Sequence, residues 1–280
     1  MFSSGVRCAP SPDAYIGIFH FQFLRHYPAS FSGIDDSIRT TAPSFLGVGK
    51  EKRGFAIEQR DLAEILDEVS YIYDLALISI FAGTCLAIFV MTYLAVIRAR
   101  PRISSADLWT TQWFVLCSAI HLILEGSYAY SFRTMGSRTD LLGQLWKEYS
   151  LSDSRYLSPD AFVLCMETIT AVCWGPLSLI TAVCIVRDHV LRHPLQIVVS
   201  LGQLYGDVLY YATSWFGHEV FGVAYSRPER YYFWGYFVFC NAFWIVVPLV
   251  LLYRSFKATA GAFAVQQRPL VEKNGAKKTL

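Results

Sequence analysis

The chain has 280 residues, of which 54% are apolar, and its 24 basic and 22 acidic residues leave a formal net charge of +2. Sixteen of these charged residues lie within the first 69 positions. The remainder carries too few charges to solvate the surface of a soluble domain, which predicts a membrane-embedded protein. The near-neutral balance gives no reason to expect nucleic-acid binding.

Residues 1–69 are predicted to form an N-terminal leader with little fixed structure, because this stretch is rich in Ser, Pro and Gly and its charges are dispersed. Its apolar patch, Ala14–Leu24, is too short to span a bilayer and contains two polar residues. Residues 70–256 are predicted to form the membrane domain, and residues 257–280 a basic cytosolic tail.

Five apolar runs follow the leader, and each is long enough to cross a bilayer as a helix. They are Leu75–Ile97, Leu108–Phe132, Ala161–Val186, Pro194–Phe216 and Tyr231–Tyr253. The runs are continuous rather than alternating, which excludes a transmembrane barrel. The sequence therefore predicts an all-α membrane protein, a bundle of five transmembrane helices with an intramembrane cavity.

Basic residues are concentrated in two of the connections between these runs. The first and third connections carry Arg98, Arg100, Arg102, Arg187 and Arg192, whereas the second and fourth mix both signs. The positive-inside rule places the basic connections and the C-terminus in the cytosol, and the N-terminus on the opposite side. Lys277 and Lys278, near the end of a cytosolic tail, are typical of a retrieval signal for the endoplasmic reticulum, with an ordinary basic tail as the alternative. A multi-pass protein of that membrane with a lumenal N-terminus is predicted.

Ionisable residues inside the runs indicate function, because a charge in the middle of a bilayer costs several kcal/mol. His121 and Glu125 in the second run lie one helical turn apart on one face. A carboxyl group beside an imidazole can deliver and recover a proton. A polar contact between helices would use the same pair, so the spacing alone leaves both interpretations open.

The third run contains a second carboxyl group. Glu167, Thr170 and Trp174 share a helix face, and Gly175-Pro176 is expected to kink or break the helix after them. Two titratable groups in one bilayer region suggest an acid/base pair, although a lone buried Glu can also be a structural hydrogen-bond acceptor.

The fourth and fifth runs add further polar side chains. Asp207 shares a face with Gln203 and Tyr210, and a structural network is the favoured interpretation of that face. In the fifth run, Asn241 can orient a carboxyl group, and the ring of Trp244 can stabilise a cation. Packing is the alternative for Trp244, which nevertheless lies far from either membrane interface.

Cofactor motifs are not visible in the sequence. It contains no phosphate-binding loop, Ser/His/Asp triad, dinucleotide fingerprint or cluster of metal ligands, so neither a cofactor nor a metal site is predicted. The carboxyl, imidazole, amide and indole groups in apolar helices suggest proton chemistry on a hydrophobic substrate.

Five long segments carry a resemblance to a known family. They are IHLILEG (Ile120–Gly126), QLWKEYSLSDSRY (Gln144–Tyr156), CMETITAVCWGPLSL (Cys165–Leu179), VVSLGQLYGDVLYY (Val198–Tyr211) and YFWGYFVFCNAFW (Tyr232–Trp244). On these segments the sequence resembles the emopamil-binding protein family, the 3β-hydroxysteroid Δ8,Δ7-isomerases of the EXPERA group. The resemblance covers the second to fifth runs, roughly half of the chain, and the family's five spans and residence in the endoplasmic reticulum agree with the prediction above.

The resemblance implies a set of site residues. His121, Glu125, Glu167, Thr170, Asn241 and Trp244 match the family's functional positions, and Tyr149 and Tyr156 match tyrosines that shape the sterol entrance or cavity. Trp174, Asp207 and Tyr210 are expected to contact the substrate as well. The implied partners are a sterol or related terpenoid, the lipid bilayer, cationic amphiphilic amines as inhibitors and a second copy of the chain in a homodimer.

The implied reaction is a cofactor-free shift of a sterol double bond from Δ8 to Δ7. An acid protonates the alkene, a carbocation forms, and a base removes a neighbouring proton. We expect the His121/Glu125 pair to donate the proton and Glu167, oriented by Asn241 and Thr170, to accept it and to stabilise the cation. The sequence leaves open which carboxyl group is the acid and which is the base.

Two departures from the family pattern leave the substrate open. Ser127 stands where the pattern leads us to expect a bulky aromatic residue, and the connection at residues 217–230 diverges. An isomerase of the same mechanism acting on another polycyclic terpenoid is therefore an alternative, and a non-catalytic protein that binds sterols or cationic amphiphiles is a further one. Five runs without an inverted repeat argue against a transporter.

Overall fold

The structure is a computed structural model that describes the backbone of residues 48–278 and the side chains of residues 71–267. The chain divides into two compact units, residues 1–64 and residues 65–280. The described residues of the first unit, 48–64, are helical. Most of the predicted leader, including the apolar patch at 14–24, lies outside the described residues, and so does the very end of the tail.

All regular elements in the described part of the chain are helical. The α-helices are α1 (Val48–Ala99), α2 (Ser105–Ala119), α3 (Gly126–Ser131), α4 (Leu141–Tyr149), α5 (Ala161–Ile169), α6 (Gly175–Val186), α7 (Arg192–Phe221) and α8 (Asn241–Lys278). Three π-helical segments adjoin them, namely π1 (Ile120–Glu125), π2 (Thr170–Trp174) and π3 (Tyr232–Cys240). Single 3₁₀ turns occur at Met135–Ser137 and Ser154–Tyr156.

Within the described residues, three helices are long and apolar enough to cross a membrane: Tyr71–Ala99, Ala161–Val186 and Tyr232–Gln267. They correspond to the first, third and fifth predicted runs. The second and fourth runs fall in residues 105–131 and in α7, which are helical but are not among these candidates. The all-helical prediction is confirmed for the described residues, and five crossings stay a prediction.

Short polar side chains fix where several of these helices begin and end. Ser104 accepts a hydrogen bond from the backbone N–H of Asp107 at the start of α2, and Asp140 and Asp160 cap α4 and α5 in the same way. Such caps satisfy backbone donors that have no partner inside the helix. α7 ends at Phe221 and is followed by Gly222, whose φ of 65° is in the left-handed region that favours glycine.

Two hydrogen bonds join connections between the helical runs to distant parts of the chain. The guanidinium of Arg100, after α1, donates to the carbonyl oxygen of Ile185 at 2.9 Å, which joins the first connection to the end of α6. The backbone N–H of Ser154 donates to the carbonyl oxygen of Tyr225 at 3.0 Å, which joins the second connection to the fourth. This pairing is typical of helices that run alternately in opposite directions.

The core beside the site is largely aromatic. It contains Tyr128, Met135, Trp146, Tyr156, Val163, Tyr210 and Phe237. Many large apolar side chains are exposed along the helices instead, for example those of Leu86, Val172 and Phe239. Exposed apolar faces on long helices suit contact with lipid, where every backbone polar group is already satisfied within the helix.

Candidate active site

Each π-helical segment contains or adjoins residues expected at the site. π1 contains His121 and Glu125, π2 begins at Thr170 shortly after Glu167, and π3 ends directly before Asn241. A π-helical turn holds one residue more than an α-helical turn, so it rotates the following side chains relative to a regular α-helix and is frequent at functional sites.

Gly175-Pro176, expected to kink or break the third run, follows π2 while the chain stays helical. Pro176 lies in the first turn of α6, where its missing N–H is tolerated. A Cβ atom on Gly175 would lie 2.8 Å from Cγ of Leu122 and 3.3 Å from Cβ of His121. The glycine therefore allows π1 to approach the start of α6, directly after π2, which brings the polar side chains of the second and third runs together.

His121 is the centre of a buried hydrogen-bonded group. Its Nδ1 atom lies 2.9 Å from Oε2 and 3.0 Å from Oε1 of Glu125, so the predicted contact is present. On the other side of the ring, Nε2 of Gln203 lies 3.0 Å from Nε2 of His121. The amide N–H of Gln203 donates to that ring nitrogen, which leaves the imidazole proton on Nδ1, where it is donated to Glu125.

Glu167 faces the same group from the third run and is 4% exposed. Its carboxyl group is near enough to that of Glu125 for the two to hydrogen-bond when one carries a proton. The hydroxyl of Tyr156 donates to Oε1 of Glu167 at 2.5 Å. Two facing carboxyl groups repel when both are ionised, and one shared proton removes this repulsion. The pair can therefore hold an acid and a base side by side.

The structure gives Glu167 a different partner from the two that were expected. Asn241 donates through Nδ2 to the hydroxyl of Tyr149 at 3.0 Å and to the carbonyl oxygen of Phe237 at 2.7 Å. The hydroxyl of Thr170 donates to the carbonyl oxygen of Met166 in its own helix. The hydrogen bond to Glu167 that was expected from Asn241 or Thr170 comes instead from Tyr156, in the second connection.

Aromatic rings surround this group. The ring centroid of Trp244 lies 6.3 Å from that of His121 and 5.6 Å from that of Trp113. The ring of Tyr156 stacks on that of Trp146 at 4.7 Å and meets that of Tyr149 edge-on at 5.2 Å. Together with the hydrogen bonds above, these ring contacts connect seven side chains into one network, which we call the polar chain. Its members, in order of contact, are Asn241, Tyr149, Tyr156, Glu167, Glu125, His121 and Gln203.

Three residues expected to contact substrate lie beside the polar chain. The ring of Trp174 packs so closely on Gly202 that a Cβ atom there would lie 2.4 Å from Cζ2 of the indole. Tyr210 is 2% exposed, with its ring 6.4 Å from that of Tyr156. Asp207 is 8% exposed, and its Oδ2 atom has no hydrogen-bond partner among the described residues.

Gln203 contacts His121 in this group, although the sequence analysis did not select it as a site residue. The available signal was its position one turn before Asp207, as a polar side chain in an apolar run. The role of the Tyr156 hydroxyl was also missed, because it depends on how the second connection folds over the helices.

The titration of groups outside the membrane segments supports these donor roles. Burial, and then the charge of Glu167, raises the pKa of Tyr156 well above its ordinary value, so its hydroxyl stays protonated and donates.

Glu148, in the same connection, has a shifted pKa as well. Burial and then the charge of Asp74 raise the pKa of Glu148 from 4.5 to about 7, although the hydroxyl of Tyr236 opposes the shift by donating to Glu148 at 3.1 Å. Among the described residues, no cluster of three or more His, Cys, Asp or Glu side chains could hold a metal ion.

Comparison with known proteins places these residues in a family. Residues 141–255 match the family model described as EXPERA (EXPanded EBP superfamily). A mouse protein named 3-beta-hydroxysteroid-Delta(8),Delta(7)-isomerase is 46% identical over 154 residues, 55% of this chain and 65% of its own length. The chain thus spans less than two thirds of that relative.

Plant proteins extend the match. A rice protein named as a probable isomerase of the same kind is 33% identical over 184 residues, 65% of this chain and 82% of its own length. A protoglabretal synthase of Citrus sinensis is 31% identical over 143 residues, 51% of this chain and 65% of its own length.

Proposed function

Because the chain belongs to the EXPERA (EXPanded EBP superfamily) family, we propose that it is a membrane isomerase that moves a sterol double bond from Δ8 to Δ7 without a cofactor. The mouse and rice relatives carry the name of that activity. The observation on which the proposal rests is that two interacting carboxyl groups have separate partners: Glu125 is bonded to the imidazole of His121, and Glu167 to the hydroxyl of Tyr156.

The proposed reaction needs one proton in and one proton out. The 8-ene takes a proton at C9, which leaves a tertiary carbocation at C8, and loss of a proton from C7 forms the 7-ene. The His121/Glu125 pair donates the first proton, and Glu167 accepts the second and stabilises the cation. A proton returned between the facing carboxyl groups then restores the starting state.

The remaining site residues bind and orient in this proposal. The ring of Trp244 faces the developing positive charge, an interaction worth from about 0.5 to about 2 kcal/mol, and Asn241 positions Tyr149 beside Tyr156. Thr170, Trp174, Asp207 and Tyr210 line the region where the sterol rings lie. A cationic amphiphilic amine would inhibit, because an ammonium resembles the carbocation and a site built for the transition state binds such a mimic tightly.

The proposed setting is the membrane of the endoplasmic reticulum. Five helices cross it around an intramembrane cavity, with the N-terminus lumenal, the C-terminus cytosolic and a second copy forming a homodimer. The pairing of the first connection with the end of α6, and of the second connection with the fourth, supports the alternating direction that five crossings require. The division of the chain into a leader at residues 1–69, a membrane domain at residues 70–256 and a cytosolic tail at residues 257–280 is part of this proposal as well.

An isomerase of another polycyclic terpenoid is the second candidate. The Citrus relative is named as a synthase, protoglabretal synthase, rather than as a sterol isomerase. Ser127 favours this candidate, because its small side chain lies at the edge of the aromatic core, where its hydroxyl accepts a hydrogen bond from Nε1 of Trp146 at 3.2 Å. A different residue at this edge would change the shape of the site without removing the acid and base. A non-catalytic protein that only binds sterols or cationic amphiphiles would not need the facing carboxyl groups.

The test is conversion of zymostenol, the 8-ene, to lathosterol, the 7-ene, by the purified full chain in lipid without added cofactor. The reaction is run in deuterium oxide, and we expect deuterium at C9 of the product, because the proton comes from groups that exchange with solvent. Glu167→Gln and His121→Ala should each lower kcat by about 10²- to 10⁴-fold. Glu148→Gln is the matched control, a buried carboxyl group outside the polar chain.

Three outcomes separate the candidates. Product with deuterium, lost in both site variants but not in the control, supports a sterol isomerase. Binding of a cationic amphiphilic amine without product would refute the sterol substrate and favour another terpenoid. Equal loss in the control and the site variants would refute the assignment of the acid and base.

A further inference from the structure

A buried ion pair lies in the second connection, outside the polar chain. Arg155 is 2% exposed and Asp153 is 0% exposed. The guanidinium donates to Asp153 through Nη2 at 2.6 Å and through Nε at 2.9 and 3.0 Å. Burying two charges costs several kcal/mol per ion, so a pair that remains buried must be held by excellent geometry.

The guanidinium also joins three separate parts of the chain. Nη1 donates to the hydroxyl of Thr213 in α7 at 2.9 Å. The carbon of the guanidinium lies 4.9 Å from the ring centroid of Tyr210 and 4.8 Å from that of Tyr225 in the fourth connection. The second connection, the fourth connection and α7 are therefore held to one another through Arg155.

The residue after Arg155 makes the contact with the acid/base pair. Asp153 accepts the backbone N–H of Arg155 at 3.0 Å, which fixes the single turn Ser154–Tyr156. Tyr156 is the last residue of this turn, and its hydroxyl donates a hydrogen bond to Glu167. The backbone position from which Tyr156 reaches Glu167 is therefore set by the ion pair immediately before it.

We propose that Arg155 is a positioning residue that holds the Tyr156 hydroxyl on Glu167 and so controls the carboxyl pair. The catalytic part of this inference rests on the proposed function, and the geometric part does not. In the proposed reaction Arg155 does not touch the reacting atoms. It acts through its planar fork of donors and its stacking between two rings, neither of which a lysine reproduces.

The test is a double-mutant cycle with Arg155→Lys, Tyr156→Phe and the double variant. Each single variant should lower kcat about 10- to 100-fold, the effect of losing one hydrogen bond to a charged group, with a smaller change in KM. In the Tyr156→Phe background, Arg155→Lys should have almost no further effect on kcat. Additive losses would mean that Arg155 only stabilises the fold, and would overturn the proposal.

Infrared spectroscopy supplies a readout that does not depend on activity. The carboxyl stretching band of Glu167, assigned from its loss in Glu167→Gln, should shift in Tyr156→Phe and shift likewise in Arg155→Lys. A band unchanged by Arg155→Lys but shifted by Tyr156→Phe would refute the inference. If the wild-type chain isomerises no sterol, the proposed function fails, whereas the infrared comparison still decides whether Arg155 positions Tyr156.

Two further variants keep the test decisive. Arg138→Lys is the matched control, because the half-buried Arg138 pairs with an exposed carboxyl group, that of Asp140, in the same connection, and neither kcat nor the Glu167 band should change. If Arg155→Lys does not fold, Thr213→Val removes the hydrogen bond from Nη1 of Arg155, together with the one that the Thr213 hydroxyl donates to the carbonyl oxygen of Tyr210 in its own helix at 3.2 Å. It should shift the band in the same direction by a smaller amount, and no shift would count against the proposal.

Discussion

The amide of Gln203 is expected to control His121, and its replacement by leucine tests the geometry of the site. Gln203→Leu removes the N–H that donates to Nε2 of His121 and leaves that atom buried in a side chain only 1% exposed. An unpaired buried acceptor costs about 1–3 kcal/mol. If the imidazole must keep this geometry in the transition state, the activation barrier rises by this amount. Because each increase of about 1.4 kcal/mol in the barrier lowers the rate tenfold, kcat should fall about 5- to 150-fold.

Gln196 offers a matched control in the same helix. It is 4% exposed and donates through Nε2 to the carbonyl oxygen of Leu251 at 3.3 Å, away from the polar chain. Gln196→Leu also removes one buried hydrogen bond, so both variants should lose a similar amount of thermal stability. Only Gln203→Leu should lower kcat substantially in the sterol isomerisation assay. Equal kcat values for the two variants would refute the reasoning.

Three more outcomes are expected. Trp244→Leu should weaken binding of a cationic amphiphilic amine about 2- to 30-fold while affecting a neutral isostere less, as measured by competition binding, because the ring attracts positive charge; equal losses would contradict this role. The pKa of Glu148 is raised from 4.5 to about 7 in the folded state, so between these values the folded chain binds more protons than the unfolded chain, and stability should fall as pH rises through this window. Thermal melting against pH should show this slope in the wild type and a flatter one in Glu148→Gln, and parallel curves would count against it. Gly202→Ala should cost about 1–3 kcal/mol of stability, because the new methyl group would meet Trp174, whereas Gly206→Ala, with open space at its Cβ position, should be neutral or slightly stabilising.

Hydropathy and spacing predicted much of the helical framework. The third run is a continuous helical segment with the predicted bounds, because Asp160 caps its start and the apolar stretch between the two connections is uninterrupted. The contact between His121 and Glu125 was predictable because both residues lie on one helical segment and their spacing alone brings them together. Features that depend on one short stretch of chain were therefore accessible from the sequence.

The π-helical segments and the partner of Glu167 were not accessible in that way. A π-helical turn differs from an α-helical turn by one residue, and the close packing of π1 on Gly175, directly after π2, depends on segments far apart in sequence. The bond from Tyr156 to Glu167 likewise depends on the second connection folding back over the helices. Sequence spacing within one run carries no information about either arrangement.

The two origins of the polar chain suggest how the site divides its tasks. His121, Glu125, Glu167 and Gln203 come from the apolar runs, whereas Tyr149 and Tyr156 come from the second connection, which is held to α7 by the hydrogen bond from Arg155 to Thr213. In the proposed reaction the helical residues supply and accept the proton. Apart from Asp153, Arg155 and Tyr156, which hold the hydrogen bond to Glu167, substitutions in the second connection should therefore alter the substrate range more readily than the chemistry, because they leave in place the backbone that carries the acid and base. On this reasoning, relatives that act on sterols and on other terpenoids would share the helical residues and differ where the connection meets the substrate.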